Sequence, residues 1–319
     1  MKKIEPMPDA SRRTLLMVGA AWLAVPAATR AQQAAEATPS TASAPSSAAP
    51  KPLRVVASFS ILADILRTIG GDDIDVHTLV GPDGDAHVYQ PTPADARRVA
   101  EAQLVVVNGL GFEGWLDRLV SAAGYRGPVV VASAGIQPRQ LDGAPDPHAW
   151  QDLRQAEQYV RTLEKALVQA APASAARIQS RAEDYLAKLT ALDAQVRRRF
   201  DGIAPAQRRV ITSHDAFGYF GAAYGIEFLA PQGMSTDSDA SAADVASLIR
   251  QIKSDRVKAV FVENISDPRL VERIAQDGGI KLGGRLYSDA LSKPGTPGDT
   301  FLKAFAHNAQ VLADAMVAP

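Results

Sequence analysis

The sequence predicts an α/β protein of two similar lobes, each a four-stranded parallel sheet with flanking helices, joined by one long rigid helix. Two observations predict this architecture. Eight short β-rich runs fall into two series of four with nearly the same spacing. One long run of helical period stands between the two series. Because strands that alternate with helical stretches form parallel sheets, each series should make one sheet.

The first series of β-rich runs begins just after residue 53. Its members are residues 54–59, 74–80, 104–108 and 128–132. Helix-compatible stretches, such as residues 61–69 and 94–102, separate these runs. This alternation predicts a first lobe over residues 53–172.

The second series repeats the pattern in the C-terminal part of the chain. Its members are residues 209–213, 226–229, 258–263 and 284–288. Corresponding runs of the two series start 155, 152, 154 and 156 residues apart. Such a constant offset indicates that a second lobe of the same architecture occupies residues 203–319.

The run between the two series predicts a connecting helix over residues 173–202. Pro172 suits the first turn of a helix, and Gly202 with Pro205 ends the run. About 28 residues would span roughly 42 Å, and no proline or glycine interrupts them. We therefore expect a rigid connection. Its apolar face, spaced by three and four residues, is formed by Ile178, Ala182, Tyr185, Leu189, Leu192, Val196 and Phe200.

The N-terminus predicts an export signal peptide over residues 1–31. Arg12 and Arg13 precede a mildly apolar run, and residues 29–31 resemble a cleavage site. Paired arginines are typical of the twin-arginine export route, and an ordinary Sec signal is the alternative. The apolar run of about 13 residues is too short to span a membrane. Residues 32–52 are rich in Ala, Ser, Thr and Pro and predict a disordered tether.

Composition narrows the class of protein further. The formal net charge of −1 offers no basic excess, which argues against a nucleic-acid-binding protein. The chain has no cysteine, so it has neither a disulfide framework nor a thiol that could carry a lipid. We expect a monomer that is free in the periplasm, without a direct membrane anchor.

Four polar side chains follow predicted strands and form a candidate metal site. His87 follows the second run, His148 lies in the loop after the fourth, His214 follows the first run of the second series, and Asp289 follows the last. In open parallel sheets, ligands bind beyond the carboxyl ends of the strands. Three imidazoles and one carboxylate are a suitable set for a tetrahedral metal ion, although Asp289 alone could also be a helix cap.

Other polar residues have simpler interpretations. His77 lies inside a predicted strand and His307 inside the C-terminal helix, so we expect structural roles for both. Glu263 and Asp215 are candidates to accept the second N–H of a ligating imidazole. The alternative is that each is an ordinary carboxylate at the end of a strand.

At four segments the chain resembles the zinc and manganese substrate-binding proteins of bacterial ABC transporters. These segments, in that family's order and spacing, are GPDGDAHVYQP (81–91), DPHAW (146–150), TSHDAFGYF (212–220) and YSDALS (287–292). The resemblance covers residues 53–318. It implies a non-enzymatic protein with two α/β lobes, a metal ion between them and a membrane permease as its partner. By position, it implies the ligands His87, His148, His214 and Asp289.

The resemblance leaves two choices of metal, Zn²⁺ and Mn²⁺. Manganese-binding relatives often have a glutamate where His214 stands here, which favours zinc. Many zinc-specific relatives insert a histidine-rich loop, whereas residues 139–147 contain no histidine. This difference weakens the case for a zinc scavenger. A zinc-dependent hydrolase is the alternative from another class, since three histidines also describe catalytic sites. The chain has no H-E-x-x-H motif, and Asp289 would close the coordination shell.

Overall fold

The computed structural model describes residues 51–317 except Asp142 and Arg256. The predicted signal peptide, and the predicted tether up to residue 50, lie outside the described residues. Two four-stranded sheets, in which every strand pair is parallel, confirm the predicted fold class. Among the described residues, no helix has the length and apolar character that crossing a membrane requires.

The first lobe contains one sheet with the strand order β2-β1-β3-β4. Its elements are β1 (Leu53–Phe59), α1 (Ser60–Gly70), β2 (Ile74–Val80), α2 (Pro93–Glu101), β3 (Leu104–Val107), α3 (Leu116–Ala122) and β4 (Val129–Val131). Strand β1 is central, because Val55 pairs with both Val76 and Leu104. A short antiparallel ribbon of β5 (Gln140–Leu141) and β6 (Ala144–Pro145) follows the sheet.

The second lobe contains a sheet with the order β10-β9-β7-β8. Its elements are β7 (Arg209–Ile211), α6 (Gly218–Tyr224), β8 (Glu227–Leu229), α7 (Ala242–Asp255), β9 (Ala259–Glu263), α8 (Arg269–Gly278), β10 (Lys281–Leu286) and α9 (Phe301–Val317). When the strands are counted within each lobe, both sheets have the order 2-1-3-4. The two lobes therefore repeat one topology, as the spacing of the β-rich runs predicts.

Strand β10 differs from its predicted position. It begins at Lys281, opposite Ala259 of β9, rather than at Gly284. Gly283 and Gly284 make this start hard to predict from the sequence, since glycine is depleted in strands. A Cβ atom at position 283 would lie 2.3 Å from the Phe261 ring, so this strand needs a glycine there. The register shifts between Leu282 and Gly284.

The long helix is α5 (Ala175–Asp201), which follows α4 (Leu153–Ala170). It begins two residues later than predicted because Pro172–Ser174 forms a 3-10 turn. Its buried face matches the predicted apolar face except at Leu192, which is only partly buried. Helix α5 packs against α1 and α4 of the first lobe and against α9.

The hydrophobic core is shared between the lobes. One continuous cluster of buried residues extends from Val55 in β1 through Tyr185 in α5 to Phe305 in α9. A smaller cluster, which includes Leu248 and Ile274, lies within the second lobe alone. The predicted lobe boundaries at residues 172 and 202 stay predictions, since no break in the core marks them.

Asp73 attaches the beginning of α5 to the first lobe. Its carboxylate accepts hydrogen bonds from Ser174 Oγ at 2.7 Å, Arg177 Nη2 at 2.5 Å and Arg181 Nη2 at 2.6 Å. Hydrogen bonds from Arg177 and then Arg181 lower the pKa of Asp73 well below its usual value. The ionised carboxylate is thus the form that the folded protein favours.

We expect Asp73→Asn to lower the free energy of unfolding at pH 7, because it removes the charge that the two arginines bind. The loss should be on the order of 1 kcal/mol, since both arginines are partly exposed and solvent screens the ion pairs. A lowered pKa in the folded state means that this contribution is full above the unfolded pKa of about 3.9 and is lost as the pH falls below it. Urea unfolding at pH 7 and at about pH 3 measures both effects. Asp72→Asn, at the exposed neighbour, is the control, and an equal loss there would contradict the assignment.

Candidate metal centre

The carboxyl ends of the strands bring all four predicted site residues together. His87 follows β2, His148 follows β6, His214 follows β7 and Asp289 follows β10. One nitrogen or oxygen atom from each of the four residues lies within 4.8 Å of the others. His77 lies within β2 and His307 within α9, and neither belongs to this cluster.

The candidate ligand atoms have the spacing of a small coordination shell. Asp289 Oδ2 lies 3.1 Å from His87 Nε2 and 3.0 Å from His214 Nε2. Asp289 Oδ1 lies 3.6 Å from His148 Nε2, and the Nε2 atoms of His87 and His148 are 3.4 Å apart. Ligands at 2.0–2.1 Å from a tetrahedral zinc ion are about 3.3 Å from one another. The observed distances lie on both sides of this value.

The cluster is almost entirely enclosed. The side chains of His148, His214 and Asp289 are 0% exposed, and that of His87 is 4% exposed. On the first-lobe side, the Phe112 ring lies 4.6 Å from the His87 ring and the Trp150 ring lies 5.3 Å from the His148 ring. An ion held by these four residues would be shielded from solvent.

The same local turn presents both histidines of the first lobe. Each follows an aspartate by two positions, as Asp85-Ala86-His87 and Asp146-Pro147-His148. Asp85 Oδ1 accepts the backbone N–H of His87 at 2.9 Å, and Asp146 Oδ1 accepts that of His148 at 3.0 Å. Such turns are common at Asp because its short side chain reaches the backbone two residues on. The repeated Asp-x-His pattern is a sequence signal from which these turns could have been predicted.

Asp146 also orients the His148 ring, a role that the sequence analysis missed. Its Oδ1 atom lies 2.9 Å from His148 Nδ1, which directs Nε2 toward Asp289. The Asp146 carboxylate lies 3.8 Å from Arg139 Nε. The backbone carbonyl of Asp146 accepts a hydrogen bond from the Tyr219 hydroxyl at 3.1 Å. Tyr219 belongs to the second lobe, so this support crosses between the lobes.

Glu263 lies behind the His214 ring as Asp146 lies behind the His148 ring. Glu263 was named from the sequence as a candidate for this position. Its Oε2 atom lies 2.7 Å from His214 Nδ1. Its Oε1 atom accepts the backbone N–H groups of Ser213 at 2.7 Å and His214 at 2.9 Å. The carboxylates of Asp146 and Glu263 thus lie beside Nδ1 of His148 and His214. The suggested role of Asp215 stays a prediction.

The electrostatic balance of the cluster favours a cation. Burial lowers the pKa of His148, but the charges of Asp289 and Asp146 outweigh this effect and raise it to about 9. Burial likewise opposes the charged form of His214, yet Glu263 and Asp289 raise its pKa well above the usual value. The pKa of Asp289 is raised by burial but lowered more strongly by His214 and His148. Without a metal ion, protons on the imidazoles balance the buried carboxylates.

Two atoms of the cluster, His214 Nδ1 and Asp289 Oδ1, have no hydrogen-bond partner in the part of the chain that the structure describes. His214 Nδ1 lies 2.7 Å from Glu263 Oε2 without hydrogen-bond geometry. Asp289 Oδ1 is buried and faces His148 without making a hydrogen bond. A buried carboxylate oxygen normally has a hydrogen bond or a metal ion to stabilise it. The residues present therefore fit a divalent cation between the two lobes.

Comparison with known proteins gives consistent matches. Residues 55–315 match the model of the family described as zinc-uptake complex component A, periplasmic. The chain is 31% identical over 275 residues to the iron ABC transporter substrate-binding lipoprotein MtsA of Streptococcus pyogenes serotype M1, covering 83% of this chain and 89% of MtsA. It is 31% identical over 258 residues to the manganese-binding lipoprotein MntA of Halalkalibacterium halodurans, covering 80% and 86% of the two chains.

A solved structure extends the likeness to three dimensions. The periplasmic zinc-binding protein TroA from Treponema pallidum superimposes with a TM-score of 0.81 at 31% sequence identity, covering 84% of this chain and 100% of TroA. Both the sequence match and the fold cover nearly all of the described residues. The chain belongs to the family of divalent-metal substrate-binding proteins of bacterial ABC transporters, which bind their cargo without catalysing a reaction.

Proposed function

We propose that this protein captures zinc in the periplasm and delivers it to the permease of its ABC transporter. His87, His148, His214 and Asp289 are the proposed ligands. The observation that carries the proposal is the spacing of their ligand atoms, which lie within 4.8 Å of one another. Three Nε2 atoms and one carboxylate, directed toward one point, match the ligand types of tetrahedral zinc sites.

The ligand types favour zinc over manganese. Imidazole is a good ligand for zinc, whereas manganese is better served by carboxylate, carbonyl and water oxygens. Asp289 presents two oxygens to the site, but three of the four side chains are still imidazoles. Zinc also binds more tightly than manganese or iron(II) to nearly any site of a given N/O composition. Relatives are named for iron, manganese and zinc, so their names do not decide the cargo.

Manganese remains the second candidate because selectivity in a cell follows metal supply as well as affinity. A zinc hydrolase is not supported by the relatives found. The geometry agrees, since catalytic zinc sites keep a coordination position for water. Here Asp289 supplies a fourth protein ligand, and the cluster is enclosed.

The proposed location follows from residues outside the described part of the chain. We propose that residues 1–31 export the protein, through the twin-arginine route or through Sec, and that it acts as a monomer. Some relatives are named lipoproteins. The present sequence has no cysteine to carry a lipid, which favours a protein free in the periplasm.

We expect His214→Ala to lower zinc affinity by more than about 100-fold, because loss of even an outer-shell partner of a ligand costs 10- to 100-fold. The fold should persist, since both sheets lie in a core that extends well beyond the site. Metal content after dialysis and circular dichroism of the metal-free protein measure the two effects. His307→Ala is the matched control, because that ring lies outside the cluster, where it contacts the Arg285 carbonyl and the Tyr287 ring. Retained zinc in His214→Ala would remove His214 from the ligand set.

We expect the metal-free protein to bind zinc more tightly than manganese or iron(II). Competition titration against a chelator of known affinity, carried out for each metal under the same conditions, gives the order directly. Growth of a strain that lacks the protein, under zinc or manganese limitation, gives the cargo used by the cell. Tighter manganese binding, or a growth defect that only manganese relieves, would replace zinc by manganese in the proposal.

We expect zinc affinity to rise with pH through the pKa of His148, which is about 9. The raised pKa values of His148 and His214 mean that both rings hold protons at pH 7 in the metal-free site, and zinc must displace them. Each displaced proton should change affinity by about tenfold per pH unit. Calorimetry at pH 7, in buffers that differ in ionisation enthalpy, counts the protons released. A flat affinity between pH 6 and pH 8, with no proton release, would contradict imidazole ligation.

A further inference from the structure

The loop that carries His87 is attached to the second lobe by Asp83. The backbone N–H of Asp83 donates to the Leu291 carbonyl at 2.8 Å. Its Oδ1 atom accepts a hydrogen bond from Asn264 Nδ2 at 3.1 Å, and the same Nδ2 atom lies 3.1 Å from the Ala290 carbonyl. Ala290 and Leu291 directly follow Asp289. This contact therefore joins the His87 loop to the loop that carries the carboxylate ligand.

The backbone of Asp83 is in an unusual conformation for a residue with a side chain. Its φ of 59° lies in the left-handed region, where non-glycine residues are uncommon although Asp is one of the more tolerant. Such conformations persist when surrounding contacts hold them in place. For Asp83, those contacts come from the second lobe.

Asp85 makes a second contact between the lobes. Its Oδ2 atom accepts a hydrogen bond from Thr236 Oγ1 at 2.5 Å, while its Oδ1 atom holds the backbone of His87. Thr236 belongs to the segment of residues 230–241 between β8 and α7. This segment lies against the His214 loop, because the Gly233 carbonyl accepts the backbone N–H of Asp215 at 3.1 Å. The second contact therefore joins the His87 loop to the segment of residues 230–241, which holds the His214 loop.

We propose that Asp83 and Asp85 are positioning residues that clamp the two lobes across the site and set the rate at which the metal leaves. This inference rests on the proposed four-ligand site. The ion is enclosed, so it can leave only when a ligand moves away. His87 is the one ligand of the four with any exposed side-chain surface, and the two clamps lie four and two residues before it.

The clamps should act on dissociation more than on association. Moving the His87 loop away from the second lobe breaks the hydrogen bonds of Asp83 and Asp85 as well as the bond to the metal. Neither residue touches the ion in the proposed site. Their loss should make opening easier without weakening the ligands themselves, and most affinity differences between related complexes arise in the dissociation rate.

The test is the dissociation rate of zinc from the full chain, measured by stopped-flow mixing with excess chelator. Asn264→Ala removes the hydrogen-bond donor to Asp83. Thr236→Val removes the donor to Asp85 with little change in side-chain shape. We expect each variant to release zinc at least about tenfold faster, with association changed by less than about threefold. Asp83→Asn and Thr236→Ser keep the hydrogen-bonding groups and should stay within about threefold of the wild type.

Asp64→Ala is the matched control. Its carboxylate also accepts a backbone N–H from the second lobe, that of Phe301 at 2.9 Å, but it lies on α1 and not on a loop that carries a ligand. We expect a wild-type dissociation rate for this variant. An equal acceleration in Asp64→Ala would indicate general loosening of the lobes and would overturn the clamp.

Failure of the clamp and failure of the four-ligand site give different results. Zinc binding that depends on His214, together with unchanged dissociation in Asn264→Ala and Thr236→Val, overturns only the clamp. Zinc binding that survives His214→Ala overturns the site itself. Thermal unfolding of each metal-free variant checks the fold. If Asn264→Ala is unfolded, Asp83→Gly tests the same contact, because glycine adopts a positive φ without strain.

Discussion

The buried carboxylate of Asp289 is the constraint on which the rest of the site depends. It lies within 3.6 Å of imidazole nitrogens from three separate loops, two in the first lobe and one in the second. A buried charge of this kind must be balanced, because moving it out of water without compensation is very costly. Protons on His148 and His214 balance it in the metal-free protein, and a divalent cation can replace them. Metal binding and the convergence of these three loops on Asp289 therefore have the same electrostatic cause.

The scaffold turns this requirement into a defined geometry. Two sheets of the same topology place the loops after β2, β7 and β10 at facing edges, and each of these loops carries one residue of the cluster. The fourth residue, His148, follows the β5-β6 ribbon beyond β4. A second set of carboxylates then fixes the rings, with Asp146 behind His148 and Glu263 behind His214. These outer carboxylates direct Nε2 of each ring inward and raise its pKa. The same groups that position the rings thus make protons competitors of the metal.

The sequence predicted the parts of this arrangement that repeat or recur locally. The offset between the two series of β-rich runs gave both sheets, and helical periodicity gave α5. The positions of His87, His148, His214 and Asp289 after strands, with the family resemblance, gave the cluster. Asp146 was missed because nothing in the sequence shows which carboxylate faces a ring. The contacts of Asp83 with Asn264 and Leu291 join residues about 180 and 208 positions apart, and such pairs appear only when the chain is folded. The start of β10 at Lys281 was not predicted, because Gly283 and Gly284 are residues that strands disfavour.

The same contacts limit how the protein can release its cargo. Helix α5 has no interior proline or glycine at which to bend, and one hydrophobic core extends from β1 through α5 to α9. A large hinge motion would have to disrupt this core, whereas movement of a single loop would disrupt a smaller part of it. Opening at the His87 loop would break the hydrogen bonds of Asp83 and Asp85 with the second lobe, the bond from Trp115 Nε1 to the Ala86 carbonyl and the packing of the buried Ala86 side chain. It also admits water to the carboxylates, so that protons can take the place of the departing ion. For an ion held at the proposed site, movement of this loop would therefore open a way out at a smaller loss of packing than a rotation of whole lobes.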